Sequence, residues 1–148
     1  MPLGGTAFMP LQTAGAMRSL ATWSYSKWSD PRLKILDDFV VINGMAAQPA
    51  LKVGYLNAAG WLAYLKEDVL FIKRFIPQTE KVHPDNNVNA EIFVEDKCVE
   101  LESVAPLVIL PPGEMVDHVE TWQWLTGIKR KRSLDETVLW ISSLVNEP

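Results

Sequence analysis

The stretch NAEIFVEDKCVELESV, residues 89–104, indicates the fold class of this chain. Apolar and polar side chains alternate on both sides of a turn at Asp96 and Lys97. This alternation has the period of two that is typical of strands with one face in a core and the other in solvent. The positions on the apolar face are Ala90, Ile92, Val94, Val99 and Leu101. The stretch therefore predicts two antiparallel strands in a sheet that is covered on one side.

Further short segments rich in β-branched and aromatic residues lie on either side of this hairpin. Each is closed by Asn, Gly, Pro or Asp, which are residues that commonly end strands. The segments are residues 39–43, 51–56, 60–65, 69–76, 106–110 and 115–125. The connections after Leu56 and Leu65 are of hairpin length and indicate an antiparallel meander. We therefore expect an all-β, antiparallel sandwich domain over residues 18–125.

The two ends of the chain depart from the strand pattern. Residues 1–17 are rich in Gly, Pro, Ala and Thr without periodicity, and they predict a loose arm that ends at most in a short edge strand. Residues 126–148 predict a basic linker followed by one helix over 134–145, because Ser133 and Glu136 have the spacing of a capping box. The apolar stripe of this helix is to be covered either by its own domain or by a second subunit.

Composition excludes several classes of protein. The chain has 148 residues, of which 48% are hydrophobic and 22% charged, as expected for one globular domain. Its single Cys98 excludes an intramolecular disulfide framework and a multi-cysteine zinc site, so we expect neither a metal nor a cofactor. Because no apolar run approaches about 18 residues, we expect no membrane partner and a cytoplasmic location.

Acidic residues are concentrated in one part of the chain. Residues 83–125 contain nine Asp or Glu and one Lys, whereas the net charge of the whole chain is −4. A surface built from this part repels nucleic acid, so no nucleic-acid partner is expected. The basic run at 129–132 is short and is followed by Asp135 and Glu136, so a solvated linker is favoured over a nucleic-acid or localisation patch.

Glu100 and Glu102 are the first candidate site residues. They are two positions apart on one strand, so both project to the same face about 7 Å apart. If this face lines a cleft, the proximity of like charges raises the pKa of one carboxyl group and suits it to act as a general base. The alternative is the solvated face of an antiparallel sheet.

A second candidate group combines polar and aromatic residues on one face of the last predicted strand. His118, Glu120 and Trp122 alternate there, and Trp124 continues the series. Indole rings stack on the apolar face of a sugar while carboxylate and imidazole groups bind its hydroxyls. The alternative is that the tryptophans belong to the core or to an interface.

The loop HPDNNVNAE, residues 83–91, supplies the third candidate group, with His83 and Asp85 as ligand-binding residues. Its polar side chains are suited to hold a ligand or a hard cation. The same residues are also ordinary turn formers, and their spacing fits no EF-hand.

Five segments follow one another in an order known from other proteins. They are WSYSKWSDPRL (23–33), LKVGYLNAAGWLAYL (51–65), LFIKRF (70–75), HPDNNVNAEIF (83–93) and VELESVAPLVILPPGEMVDHVETWQW (99–124). In this order they resemble the C-terminal half of an uncharacterised bacterial family that is similar to the galactose-mutarotase-type β-supersandwich. The resemblance covers roughly residues 20–125 and implies a sandwich like half of that fold.

The last of these segments is also similar to the closing strands of aldose 1-epimerases. In that family a glutamate before a Pro-Gly-Glu turn deprotonates the anomeric hydroxyl, and Glu102 matches it by position. A histidine from the N-terminal half of the family protonates the ring oxygen, and neither His83 nor His118 matches it. Because a base without its acid loses a factor on the order of 10²–10⁴ in rate, we do not expect a competent monomeric enzyme.

The leading hypothesis from the sequence is a non-catalytic, self-associating β-sandwich protein. Its expected partners are further copies of the chain and a carbohydrate or similar polar ligand. One alternative is an epimerase-like isomerase with Glu102 as its base. Another is a purely structural oligomer in which the tryptophans and the C-terminal helix form the interface.

Overall fold

A computed structural model describes residues 1–12, 17–129 and 131–146 of the chain. The described part contains ten strands, one short helical turn and one longer helix. The strands are β1 (Thr6–Pro10), β2 (Leu20–Thr22), β3 (Leu33–Ile35), β4 (Phe39–Asn43), β5 (Leu51–Tyr55), β6 (Trp61–Lys66), β7 (Val69–Phe75), β8 (Ala90–Val94), β9 (Val99–Ser103) and β10 (Glu120–Leu125). The short turn is α1 (Pro84–Asn87), and the longer helix is α2 (Leu134–Asn146).

The strands form two antiparallel sheets that pack face to face. One sheet has the order β10-β7-β6-β1-β4-β3, and the other has the order β2-β5-β8-β9. Apolar side chains from both sheets meet in one core, as the alternation in residues 89–104 predicts: Ala90, Ile92, Val94, Val99 and Leu101 are all buried there. The expected fold class, an all-β antiparallel sandwich with one C-terminal helix, is confirmed.

The N-terminal segment is not the loose arm expected for residues 1–17. β1 lies in the middle of the six-stranded sheet, paired with β4 on one side and β6 on the other, and all of it is buried. Ala7 and Met9 face the core between the sheets, whereas Phe8 faces the opposite layer. Because both faces are covered, β1 has no polar alternation to reveal it. The rest of the expected arm includes residues 13–16, which lie outside the described residues.

The expected meander is only partly present. β6 and β7 form a hairpin, but β5 and β6 belong to different sheets. Asn57, which is fully buried, organises this crossing: its Oδ1 accepts hydrogen bonds from Ala59 N and Gly60 N, and its Nδ2 donates to Trp61 O. The connection of hairpin length is therefore a corner between the two sheets.

Helix α2 covers the outer face of the six-stranded sheet. Val138, Ile141 and Val145 pack there in a second apolar cluster together with residues of β1, β4, β6 and β7. The predicted capping box is present, with Glu136 N donating to Ser133 Oγ at 3.1 Å and Ser133 N donating to Glu136 Oε2 at 3.3 Å. The apolar stripe is thus covered by the helix's own domain.

One predicted strand segment is not a strand, and another is a strand over only part of its length. Residues 106–110 have no ladder partner in the described part of the chain, and the last strand begins at Glu120 instead of Met115. Four large apolar side chains in the first segment are exposed: Leu107, Val108, Ile109 and Leu110. Strand propensity describes the segment itself and does not determine whether a neighbouring strand is available to pair with it. Neither described helix combines the length and apolar character needed to cross a membrane.

Candidate functional site

The structure distributes the predicted site residues over three places. Glu102 and Glu100 lie on the outer face of the four-stranded sheet, on β9. Glu120 and Trp122 lie on β10, at the edge of the other sheet, with His118 just before it. His83 and Asp85 lie at α1. The three candidate groups therefore do not form a single surface.

Glu102 belongs to a compact charged cluster with Lys52 and Glu91. The antiparallel register places Glu91 of β8 directly opposite Glu102 of β9. Lys52, from β5, places its Nζ 2.6 Å from Glu91 Oε2 and 2.9 Å from Glu102 Oε2. The aromatic ring of Trp23 covers the ammonium group, with its centroid 4.7 Å from Nζ. We call these four residues the Lys52 cluster.

Burial strongly perturbs the titration of this cluster. Desolvation raises the pKa of Glu91 to about 7, because Lys52 lowers it only in part and the Glu102 carboxylate raises it further. Burial lowers the pKa of Lys52, but its hydrogen bonds to both carboxylates outweigh that effect and raise it above the usual range. Glu91 Oε1 and Glu102 Oε1 are buried without a hydrogen-bond partner. One proton shared between the carboxyl groups would supply that missing hydrogen bond.

The sequence analysis missed Lys52 and Glu91 as members of this cluster. Glu91 is on the polar face of the alternating stretch, and pairing the two strands about Asp96 and Lys97 places it opposite Glu102. That register was available from the sequence. Lys52 was not, because it comes from a strand whose position beside β8 depends on the crossing at Asn57.

Glu100 stands apart from the Lys52 cluster. It is exposed, and its carboxylate lies 3.7 Å from the Cys98 thiol. Burial and the neighbouring Glu100 charge raise the pKa of Cys98. The pair of carboxyl groups in which one pKa is raised is therefore Glu91 with Glu102 across two strands, instead of Glu100 with Glu102 along one strand.

Glu120 is the centre of a second polar cluster, between the edges of the two sheets. Its Oε1 accepts hydrogen bonds from Lys73 Nζ at 2.8 Å and from Ser103 Oγ, and its Oε2 accepts one from Trp122 Nε1 at 2.8 Å. Burial alone would raise the pKa of Glu120, but these donors outweigh burial and lower it. Both carboxylate oxygens of Glu120 therefore accept hydrogen bonds, and the one from Trp122 holds its indole in a defined orientation.

His118 approaches this second cluster through Ser103. Its Nε2 lies 2.7 Å from Ser103 Oγ. A serine beside a histidine is one requirement of nucleophilic catalysis, in which the imidazole accepts the hydroxyl proton. Here Ser103 donates that proton to Glu120 instead, so Nε2 serves as the donor to Ser103 Oγ. This arrangement positions side chains and does not activate a nucleophile.

The indole rings of Trp122 and Trp124 extend beyond the covered part of the sheet. Both rings contact Phe71, with centroid distances of 5.8 Å and 4.5 Å. They are on the face that packs against the four-stranded sheet, but that sheet ends at β9. Consequently 60% of Trp122 and 56% of Trp124 are exposed to solvent.

The third candidate group divides into a buried residue and an exposed one. His83 is only 3% exposed, and its Nδ1 and Nε2 lie 3.0 Å from Val104 O and 3.1 Å from Gln78 O. It joins two loops and is not available to a ligand. Asp85 is exposed and has a left-handed backbone conformation, with φ of 50°.

Asp85 borders an open groove on the other side of the molecule from the second cluster's tryptophans. The groove has a volume of about 480 Å³. Asn86 lies beside Asp85, and the indoles of Trp23 and Trp28 supply the aromatic wall. Trp28 is 52% exposed. We call this the Trp28 groove.

In the described part of the chain, no group of three or more His, Cys, Asp or Glu residues is placed to hold a metal ion. Searches among known protein families, curated proteins and solved structures find no match to this chain.

Proposed function

We propose that this protein is a self-associating, non-catalytic β-sandwich and that its partner is a second copy of the same chain. The observation that carries this proposal is a concentration of exposed apolar side chains in one segment of the chain, residues 107–124. Its members are Leu107, Val108, Ile109, Leu110, Met115, Val116, Val119, Trp122 and Trp124. We call this set the apolar overhang.

The size of the apolar overhang supports an interface between two proteins. All nine side chains are at least about half exposed, up to 97% for Ile109. At roughly 100 Å² each they expose on the order of 900 Å² of apolar surface. This summed apolar area is comparable to the roughly 800 Å² that each partner buries in a standard interface.

The position of the overhang at the strand edges favours a second copy as the occupant. β10 is an edge strand of one sheet, and β9 is an edge strand of the other. Beside them, residues 107–110 combine strand propensity with a lack of ladder partners in the described part of the chain. A strand edge recruits another chain unless it is blocked. Because Met1 already bonds to Val99 at the edge of β9, pairing two copies about β10 would cover the tryptophans of each.

The test is the mass of the protein in solution, measured by light scattering over a range of concentrations. A dimer or larger assembly is expected. Ile109→Asp places a charge in the overhang without removing a folded contact, so it should yield a monomer with an unchanged circular dichroism spectrum. Ile35→Asp is the matched control, because Ile35 is equally apolar and half exposed at β3, the opposite edge of the sheet. A wild-type monomer, or an assembly that Ile109→Asp leaves intact, would overturn the proposal.

A second function, binding of a carbohydrate or similar polar ligand, is favoured by the Trp28 groove. Its exposed indole can stack on the apolar face of a sugar ring. Asp85 and Asn86 supply acceptors and a donor for hydroxyl groups, and consecutive left-handed residues orient both. The groove therefore presents the two kinds of contact that such a ligand requires, with one residue, Asp85, among those expected from the sequence.

Titration calorimetry against a panel of aldoses tests this second function. Binding should disappear in Trp28→Ala and persist in Trp124→Ala, which removes an exposed tryptophan from the apolar overhang instead. A flat titration with the wild-type protein would remove carbohydrate binding and leave self-association untouched.

The epimerase-like alternative stays a prediction. Its base, Glu102, forms an ion pair with Lys52 at 2.9 Å. Any aldose turnover should be lost in Glu102→Gln if Glu102 is the base. Turnover that survives this substitution would exclude that role.

A further inference from the structure

A recess at the start of helix α2 collects basic side chains that the proposed function does not use. It has a volume of about 290 Å³ and lies between α2, β3 and the end of β4. The polar and charged side chains that matter here are Lys34, Asn43, Lys131, Arg132, Ser133 and Thr137. We call this recess the basic pocket.

Three of the cations in the basic pocket are not neutralised. Lys34, Lys131 and Arg132 have no ion-pair partner in the part of the chain that the structure describes, although Lys131 Nζ lies 4.4 Å from the ring centroid of Trp140. Arg32 also lines the pocket, but it is buried and committed to Asp30, with Nε and Nη2 at 2.9 Å and 2.8 Å from its two carboxylate oxygens. The unpaired cations come from two separate segments of the chain, so their convergence depends on the fold.

None of the described residues that line the basic pocket is an aspartate or a glutamate, although the protein as a whole has a net charge of −4. The acidic residues of the first helical turn point elsewhere. Glu136 accepts the hydrogen bond from Ser133 N that closes the capping box, and Asp135 borders a different groove. The pocket is therefore a positive site on a negative molecule, which favours an anionic ligand.

The pocket also offers neutral hydrogen-bond donors. Asn43 is exposed at the end of β4 and lines the pocket. The capping box already satisfies Glu136 N and Ser133 N, but the other first N–H groups of a helix lack acceptors within the helix, and α2, with 13 residues, adds its positive dipole end. Three cations and several donors around one small volume match the charge and the acceptor oxygens of a phosphate group.

We infer that the basic pocket binds a small phosphorylated ligand through its phosphate group. A recess of about 290 Å³ is at the small end of ligand sites, so it fits inorganic phosphate or a short phosphate monoester. A nucleic-acid strand is disfavoured because the surface outside the pocket is acidic and repels a polyanion.

The test uses nuclear magnetic resonance titrations of the full chain with inorganic phosphate, glycerol 3-phosphate and glycerol. Both phosphates should cause saturable shifts of the amide signals of Lys34 and Thr137, whereas glycerol should cause none. Lys34→Ala and Arg132→Ala should each weaken phosphate binding about tenfold, because each removes one charge-assisted contact. Lys97→Ala is the matched control: it removes an exposed lysine outside the pocket and should leave the affinity unchanged.

Two results would overturn this inference. One is a phosphate affinity that Lys34→Ala and Arg132→Ala leave unchanged, which would place any bound phosphate elsewhere. The other is binding of a single-stranded oligonucleotide without binding of either small phosphate, which would make the basic run a nucleic-acid surface. Neither result affects the proposed self-association, since the apolar overhang shares no residue with the pocket.

Discussion

Buried amide side chains illustrate how single residues hold the two sheets of this protein together. Asn57 and Asn89 are both fully buried, and each satisfies backbone groups of a corner. Asn89 Oδ1 accepts a hydrogen bond from Asn57 N at 2.7 Å, and its Nδ2 donates to Pro77 O at 2.7 Å. Because a buried backbone polar group without a partner is costly, these side chains are needed wherever the chain leaves a sheet ladder inside the core.

Asn57→Ala should therefore lower the free energy of unfolding by about 2–4 kcal/mol, since it leaves two N–H donors and one carbonyl without their partners. Urea denaturation followed by tryptophan fluorescence measures this loss. Asn43→Ala makes the same change at an exposed strand end and should alter stability by less than about 0.5 kcal/mol. Similar losses in both variants would mean that Asn57 does not organise the corner.

At the scale of elements, the Lys52 cluster couples the pairing of β5, β8 and β9 to pH. The pKa of Glu91 is raised from its usual value near 4.5 to about 7 in the folded protein. The folded state therefore binds more protons than the unfolded state between these two values. The contribution of Glu91 to the free energy of unfolding is present at low pH and is lost as the pH rises through about 7.

Between pH 5 and pH 8 this effect should cost the wild-type protein up to about 3 kcal/mol of unfolding free energy. Glu91→Gln keeps the shape of the side chain without its charge, so it should flatten the dependence and be the more stable protein at pH 8. Glu100→Gln changes an exposed carboxylate on the neighbouring strand and should retain the wild-type slope. Parallel curves for wild type and Glu91→Gln would contradict the raised pKa.

Helix α2 depends on packing more than on its own sequence for stability, since isolated helices of this length are marginal in water. Ile141 is fully buried against the six-stranded sheet, whereas Leu139 is largely exposed two positions earlier. Ile141→Ala should lower the free energy of unfolding by about 2–5 kcal/mol, and Leu139→Ala by less than about 0.5 kcal/mol. Thermal denaturation of the two variants provides the comparison, and equal melting temperatures would contradict the packing.

For the whole molecule, charge opposes the association that the apolar overhang favours. Glu114 and Asp117 are exposed within the same segment, so two copies that pair there bring like charges together. Added salt screens this repulsion. The Debye length, beyond which charges are largely screened, is about 10 Å at 0.1 M salt and about 3 Å at 1 M. Association should therefore be weak at low salt and about tenfold tighter at high salt.

Sedimentation equilibrium at 20 mM and 500 mM sodium chloride measures this dependence, with both concentrations chosen to bracket the range in which screening is strong. Replacing both acidic residues, Glu114→Gln with Asp117→Asn, should tighten the dimer at low salt and reduce the salt effect. Association that weakens with salt would indicate an interface built on ion pairs. That result would contradict an interface formed by the apolar overhang.

The fold class and most of the local structure follow from short-range patterns in the sequence. The alternation in residues 89–104 predicts β8 and β9, and the capping box at Ser133 predicts α2, because both signals depend only on neighbouring residues. Strand 39–43 and the β6–β7 hairpin follow from propensity and turn length in the same way. The charge distribution, likewise, is independent of any contact.

Which segments pair with one another depends on long-range contacts in the folded protein. β1 is central because its two faces are buried by different layers, and this leaves no alternation in the sequence to mark it. The crossing at Asn57 assigns β5 and β6 to different sheets and brings Lys52 to Glu91 and Glu102. The same arrangement separates Glu102 from Glu120 and leaves Trp122 uncovered. These pairings arise from contacts between residues distant in the chain, and a periodic pattern along one strand contains no information about its neighbour in the sheet.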